Sequence, residues 1–288
     1  MAKDNLAIKE LPSGTEMEWK NPAPANGRHL STDFIPLGEY LAMRKRIGGR
    51  QAFMPKTNFS SDAMAVLAEN PVMKALKDSY VMSSHTMEPE AIAFILQAIE
   101  MYRPRVILEL GSGLSTLVLS EAHNELLKTD GVDGAYVAVE QSQEFMDTLL
   151  GTAKSIGSEK DFTPLIVPLA RYKIGDILEP SDAMNFDQKA MPGFDFDEKN
   201  LHEALGGLRP DMIIIDGPAD EKTLAGSSFA KALTLPLLSL YAAPGAVVLM
   251  DGCYGDPEIF ALEQWQQSGI ANIIGIKAVG KGLMVALT

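Results

Sequence analysis

Two rhythms divide the chain. From about residue 105 onward, short apolar runs alternate with segments whose apolar residues recur every three or four positions. Val106 to Leu110 reads as a buried strand, and the spacing from Leu117 to Leu127 reads as a helix. The same test predicts strands over Ala135–Glu140, Thr163–Leu169, Met212–Asp216, Ala246–Asp251, Ile273–Ala278 and Gly282–Leu287. Helices are expected at 115–128, 142–155, Ser228–Tyr241 and Pro257–Gln267. Strict alternation of this kind builds a doubly wound, mostly parallel sheet with helices on both faces, an α/β fold. Only Val279, Gly280 and Lys281 separate the last two strands. Three residues cannot make a parallel crossover, so an antiparallel C-terminal hairpin is expected.

Before residue 85 the rhythm is weaker. Residues 1 to about 60 are rich in Pro, Gly and Asn and read as an arm on the core rather than as an independent domain. Helices are expected over Leu37–Arg46 and over Ser61–Leu76, the latter with Met64, Leu67, Val72, Met73 and Leu76 on one face. A further helix begins near Glu88-Pro89-Glu90, with Pro early and acids in the first turn. The division expected is an N-terminal helical and irregular extension, 1–80, and an α/β domain, 81–288. An irregular insert at about 170–205 carries apolar anchors such as Met191, Phe194 and Phe196. It forms either a roof over the site, together with the arm, or a solvated loop.

The first strand carries the most chemistry. It includes Glu109, then runs into Gly111-Ser-Gly113 and the capping types Ser115 and Thr116. Strand, glycine turn and helix let a backbone approach a nucleotide-like ligand at the carboxyl edge of a parallel sheet. Glu109, Glu140, Asp216 and Asp251 all fall at or near strand ends, and a parallel sheet gathers such ends on one edge. Glu140, at the end of the second strand, is placed to accept hydrogen bonds from ribose hydroxyls. A dinucleotide would want a third glycine and an unobstructed helix N-terminus. Here Thr116 takes the third glycine position and a carboxylate precedes the turn. A ligand bearing an ammonium and a sulfonium suits these acids better, and S-adenosylmethionine is such a ligand.

Composition narrows the partners. The 288 residues carry a formal net charge of −13, which opposes a nucleic-acid backbone and favours a neutral or cationic small-molecule substrate. A single cysteine, Cys253, rules out a disulfide or a thiolate metal cluster within one chain. Its expected role is an apolar filler, with a pocket thiol as the alternative. No apolar run reaches the ~18–20 residues that span a bilayer, and Met1-Ala-Lys-Asp-Asn5 lacks a signal-peptide core. A cytoplasmic enzyme without membrane partners is therefore expected, and self-association into a homo-oligomer is compatible with the chain.

Glu109-Leu-Gly-Ser-Gly-Leu-Ser-Thr116, Val139-Glu140, Ile213-Ile-Ile-Asp-Gly-Pro218 and Gly245-Ala-Val-Val-Leu-Met-Asp251 together resemble the class I S-adenosylmethionine-dependent methyltransferases, of a bacterial small-molecule type. The resemblance spans about residues 85–288. It implies a seven-stranded sheet, methyl transfer to oxygen or nitrogen, and S-adenosylmethionine as cofactor. Gly111, Ser112 and Gly113 would approach the methionine half, with Glu109 orienting its amino group directly or through water. Ser115 and Thr116 would bind its carboxylate or cap the helix. Glu140 would hold the ribose, and Gln141, Ser142 and Asp176 would stand near the adenine. Asp216, Asp251 and His85 are the candidate catalytic bases. No metal is expected, because Gly252 stands where the metal-dependent catechol-type enzymes carry Asn. The alternatives are a nucleotide-sugar or NAD-dependent enzyme, or a non-catalytic protein with the same fold.

Overall fold

A computed structural model describes residues 8–22, 34–47, 61–76, 86–173, 190–218 and 229–288. In chain order the elements are β1 (Ile8–Lys9), α1 (Leu37–Ile47), α2 (Ser61–Glu69), α3 (Pro71–Leu76), α4 (Pro89–Tyr102), β2 (Val106–Leu110), α5 (Leu114–Asp130), β3 (Ala135–Glu140) and α6 (Gln143–Ile156). There follow β4 (Thr163–Ile166), β5 (Leu169–Lys173), β6 (Ala190–Phe194), α7 (Glu198–Ala204), β7 (Met212–Ile215), α8 (Thr234–Leu238), β8 (Val247–Asp251), α9 (Asp256–Ser268), β9 (Asn272–Lys277) and β10 (Leu283–Leu287).

Seven strands form one sheet in the order β4-β3-β2-β7-β8-β10-β9. The fold is thus the doubly wound α/β architecture expected. The strands from β4 to β8 run parallel, and β10 lies antiparallel between β8 and β9. From β2 the chain winds outward to β3 and β4, then crosses to β7 on the other side. That reversal opens a crevice beyond the carboxyl ends of β2 and β7, where open α/β sheets take their ligands.

Period-two alternation sorts the strand residues onto two buried faces. Leu108, Leu110, Val137, Val139, Ile213 and Ile215 pack with α8, α9 and α1. Ile107, Tyr136, Ala138 and Ile214 pack with α4 and α5. By the same alternation Glu109 faces the α4 and α5 side together with Ile107.

Four segments depart from the expected pattern. The helix expected over 61–76 is two helices, broken at Asn70. Pro71 cannot donate to a continuing helix, and the Asn70 Oδ1 instead caps α3, accepting from the amides of Val72 at 2.9 Å and Met73 at 3.3 Å. Met64 consequently stays 44% exposed while Leu67, Val72 and Leu76 are buried. The strand expected over 163–169 is divided: β4 ends at Ile166, and β5 leaves for a second sheet of order β1-β5-β6. The insert is therefore not wholly irregular, since β5 and β6 pair antiparallel from Leu169↔Phe194 to Lys173↔Ala190, and α7 follows. The helix expected over 228–241 is a 3-10 turn, Ala230–Leu233, followed by the short α8.

The N-terminal segments are tied into this frame. Ile8 and Lys9 pair parallel with Arg171 and Tyr172 of β5. Glu198 accepts hydrogen bonds from the amides of Glu16 and Met17 and from Trp19 Nε1, at 2.8, 3.0 and 2.9 Å. In α1, the Tyr40 hydroxyl donates to the Cys253 carbonyl at 3.0 Å, and the buried Arg44 donates to the Tyr254 carbonyl at 2.7 Å and pairs with Asp256. No helix among the described residues is long and apolar enough to cross a membrane.

Candidate functional site

The glycine turn sits where β2 meets the loop after β7. The Leu110 carbonyl accepts from the amides of both Asp216, at 2.9 Å, and Gly217, at 2.6 Å. Gly111 has φ +89°, and a Cβ added there would lie 2.8 Å from the Gly217 Cα and closer still to its nitrogen. The first glycine is thus required by a contact between two backbones. Gly113 differs: beyond its own chain neighbours, no atom of the described residues lies within 4 Å of where its Cβ would be. Its amide donates to Thr116 Oγ1 at 3.0 Å, so Thr116 caps the start of α5, which was one of its two expected roles.

Glu109 is fully buried behind this turn. Its Oε1 accepts from the Ser115 hydroxyl at 2.7 Å and its Oε2 from the Tyr136 hydroxyl at 2.9 Å. Burial pushes the carboxyl up to about 7 against these hydrogen bonds, and the charge of Glu140 adds to the rise. Burial likewise raises the Tyr136 hydroxyl, with Glu109 acting in the same direction. Ser115 and Glu109 therefore fasten β2, β3 and the first turn of α5 together from behind the crevice.

Glu140 stands at the end of β3 with both oxygens engaged. Oε2 accepts from the amide and hydroxyl of Ser112, at 3.2 and 3.3 Å, and Oε1 from the amides of Gln141 and Ser142, at 2.8 and 3.0 Å. The carboxylate thus bridges the glycine turn to the start of α6, which Ser142 caps by accepting the Phe145 amide at 3.4 Å. Gln141 is half-buried beside it.

Across the crevice, the register that pairs Ile215 with Met250 sets Asp216 beside Asp251. Asp216 is half-buried and Asp251 is fully buried. Burial, then the charge of Asp216, pushes the Asp251 carboxyl up to about 7, against the pull of Lys231 and Lys281. Lys231 lies 3.2 Å from Glu258 Oε1 and donates to the Asp251 carbonyl at 3.1 Å. Lys281, in the turn before β10, donates to the Thr86 carbonyl at 3.0 Å. Cys253 is buried in the core, its thiol donating to the Met250 carbonyl at 3.2 Å, which is the filler role. Among the described residues no three His, Cys, Asp or Glu side chains are grouped to hold a metal.

The structure thus gathers Glu109, Gly111, Ser112, Gly113, Ser115, Thr116, Glu140, Gln141, Asp216 and Asp251 around one sheet edge. His85 and Asp176 lie outside the described residues. Sequence reasoning missed Tyr136, Lys231, Glu258 and Lys281. Tyr136 had a signal, being a hydroxyl at an inward strand position on the same face as Glu109. The two lysines had none, because each sits in a turn that only the completed fold brings to the edge.

No family model matches the chain, and no curated protein matches it. Solved structures overlap it loosely. An O-methyltransferase from Bacillus cereus in complex with SAH is 15% identical, with 88% of this chain and 99% of that chain covered and a TM-score of 0.44. An SAH-bound methyltransferase from Podospora anserina is 14% identical over 88% and 98%, at 0.45. The O-methyltransferase TomG from Streptomyces achromogenes, involved in tomaymycin synthesis and in complex with SAM, is 15% identical over 86% and 96%, at 0.39.

Proposed function

We propose that this chain is a class I S-adenosylmethionine-dependent methyltransferase that acts on a small molecule at oxygen or nitrogen. One observation carries the reading: carboxylates stand at the strand reversal, and the backbone amides of the turns there are already taken by side chains of this chain. Thr116 takes the Gly113 amide, and Glu140 takes those of Ser112, Gln141 and Ser142. A pyrophosphate needs such amides free and meets repulsion from Glu140 and Asp216. An ammonium and a sulfonium meet attraction from the same groups.

In this reading Glu140 turns its remaining lone pairs to the ribose hydroxyls. Ser112 and Gly113 border the methionine half, and Glu109 keeps that wall in place from behind. Gln141 and Asp176 belong to the adenine end. The catalytic unit is residues 81–288, with 1–80 as its arm. Transfer is an in-line displacement on an activated methyl group, so the protein positions the acceptor and takes its proton. Asp216, Asp251 and His85 are the groups for that step.

Isothermal titration tests the cofactor. S-adenosylhomocysteine binding with no NAD binding supports the proposal, and the reverse result sinks it.

A further inference from the structure

Asp216 and Asp251 stand side by side at the ends of β7 and β8, one facing the crevice and one buried behind it. The Asp251 Oδ1 is buried with no hydrogen-bond partner among the described residues. Among the described residues, charged groups face the pair from several neighbouring elements. Lys231, from the 3-10 turn, and Lys281, from the turn before β10, face both aspartates. Glu109 of β2 and Glu258 of α9 add negative charge at Asp216, and Glu88, at the start of α4, faces Asp251. The Lys231 ammonium is already engaged by Glu258 and by the Asp251 carbonyl. Among the described residues carboxyl groups therefore outnumber ammonium groups here, and two adjacent carboxylates out of water disfavour each other's ionisation.

We propose that Asp216 and Asp251 share one proton while the crevice is empty and release it to solvent when a cation sits beside Asp216. The pair then prefers a sulfonium methyl donor over the neutral thioether left after transfer. This inference rests on the cofactor reading above and names a selectivity that the reading does not require. Asp251, pushed up to about 7, places the exchange at neutral pH. Coupling is reciprocal, so a ligand that expels the proton binds more tightly as pH rises through that range. Asp216 supplies the contact with the cation, and Asp251, the more deeply buried of the two, supplies the site for the proton.

Calorimetric titration of the full chain at pH 7, in buffers of different ionisation enthalpy, counts the protons released by S-adenosylmethionine and by S-adenosylhomocysteine. The α-amino group of these ligands also titrates near neutrality, so the count is taken as wild type minus Asp251→Asn. The expected difference is about half a proton for S-adenosylmethionine, as for a group half-ionised at pH 7, and close to none for S-adenosylhomocysteine. Asp216→Asn gives the same comparison if Asp251→Asn does not fold. Binding of both ligands with equal proton release in wild type and variant overturns the proposal and leaves the cofactor reading standing. Binding of neither ligand overturns both.

Discussion

Gly111 and Gly217 meet backbone to backbone, so the turn after β2 and the turn after β7 are fitted to each other before any ligand arrives. Gly111→Ala places a Cβ into that contact at φ +89° and is expected to cost at least about 2 kcal/mol of stability. Gly113→Ala meets no atom of the described residues beyond its chain neighbours and is expected to leave the denaturant midpoint nearly unchanged while weakening S-adenosylhomocysteine binding. Urea titration with calorimetry on both variants checks the pair. Equal loss of stability in the two would show that the second glycine is also a packing residue.

Glu140→Gln keeps the shape of the side chain but turns one acceptor oxygen into a donor facing backbone amides. S-adenosylhomocysteine affinity is expected to fall by about tenfold to a hundredfold, or ~1.4–2.7 kcal/mol. The circular dichroism spectrum should remain that of the wild type. Unchanged affinity would remove Glu140 from the binding site.

Stability without cofactor is expected to decline between about pH 4.5 and 7. Glu109 and Asp251 both titrate near 7 in the folded chain, above their ordinary values of 4.5 and 3.8. Across that window the folded state holds protons that the unfolded state has lost, so raising the pH favours unfolding. Burial pushes His123 the other way, down to about 4, so its contribution rises with pH between about 4 and 6.5. Two carboxyls against one imidazole leave a net fall. Glu109→Gln removes one of them and should flatten the decline, which denaturant midpoints at pH 5, 6, 7 and 8 would reveal. A profile identical to wild type would mean that Glu109 is ionised throughout.

Glu198→Ala removes the acceptor shared by Glu16, Met17 and Trp19. Amide hydrogen exchange is expected to accelerate over residues 8–20 while the central sheet keeps its protection. Acceleration spread over the whole sheet would show that the arm and the sheet open as one unit.

The main sheet was legible because its strands are short apolar runs separated by helical spacing, and the link of Val279, Gly280 and Lys281 forced the hairpin. The second sheet was hidden by its own residues. Ala190-Met-Pro-Gly-Phe194 contains the two types least expected in a strand, and it succeeds because β6 lies at an edge, where Pro192 does not break an inner ladder. The break at Asn70 was readable from Pro71 but was overridden by a continuous apolar stripe. At the site, Glu109, Glu140, Asp216 and Asp251 stood out as acids near apolar strand ends. What the pattern could not convey was depth. Only the packing of α4 and α5 places Glu109 behind the turn, and only the turn before β10 carries Lys281 to the edge.

The seating of β10 between β8 and β9 has a consequence for synthesis. β9 leaves the ribosome before β10, yet among the described strands it has no ladder to join until β10 follows it. While β10 is still being made, β8 presents an unpaired apolar edge to its surroundings. A nascent chain stalled in that interval carries the kind of edge that recruits foreign strands.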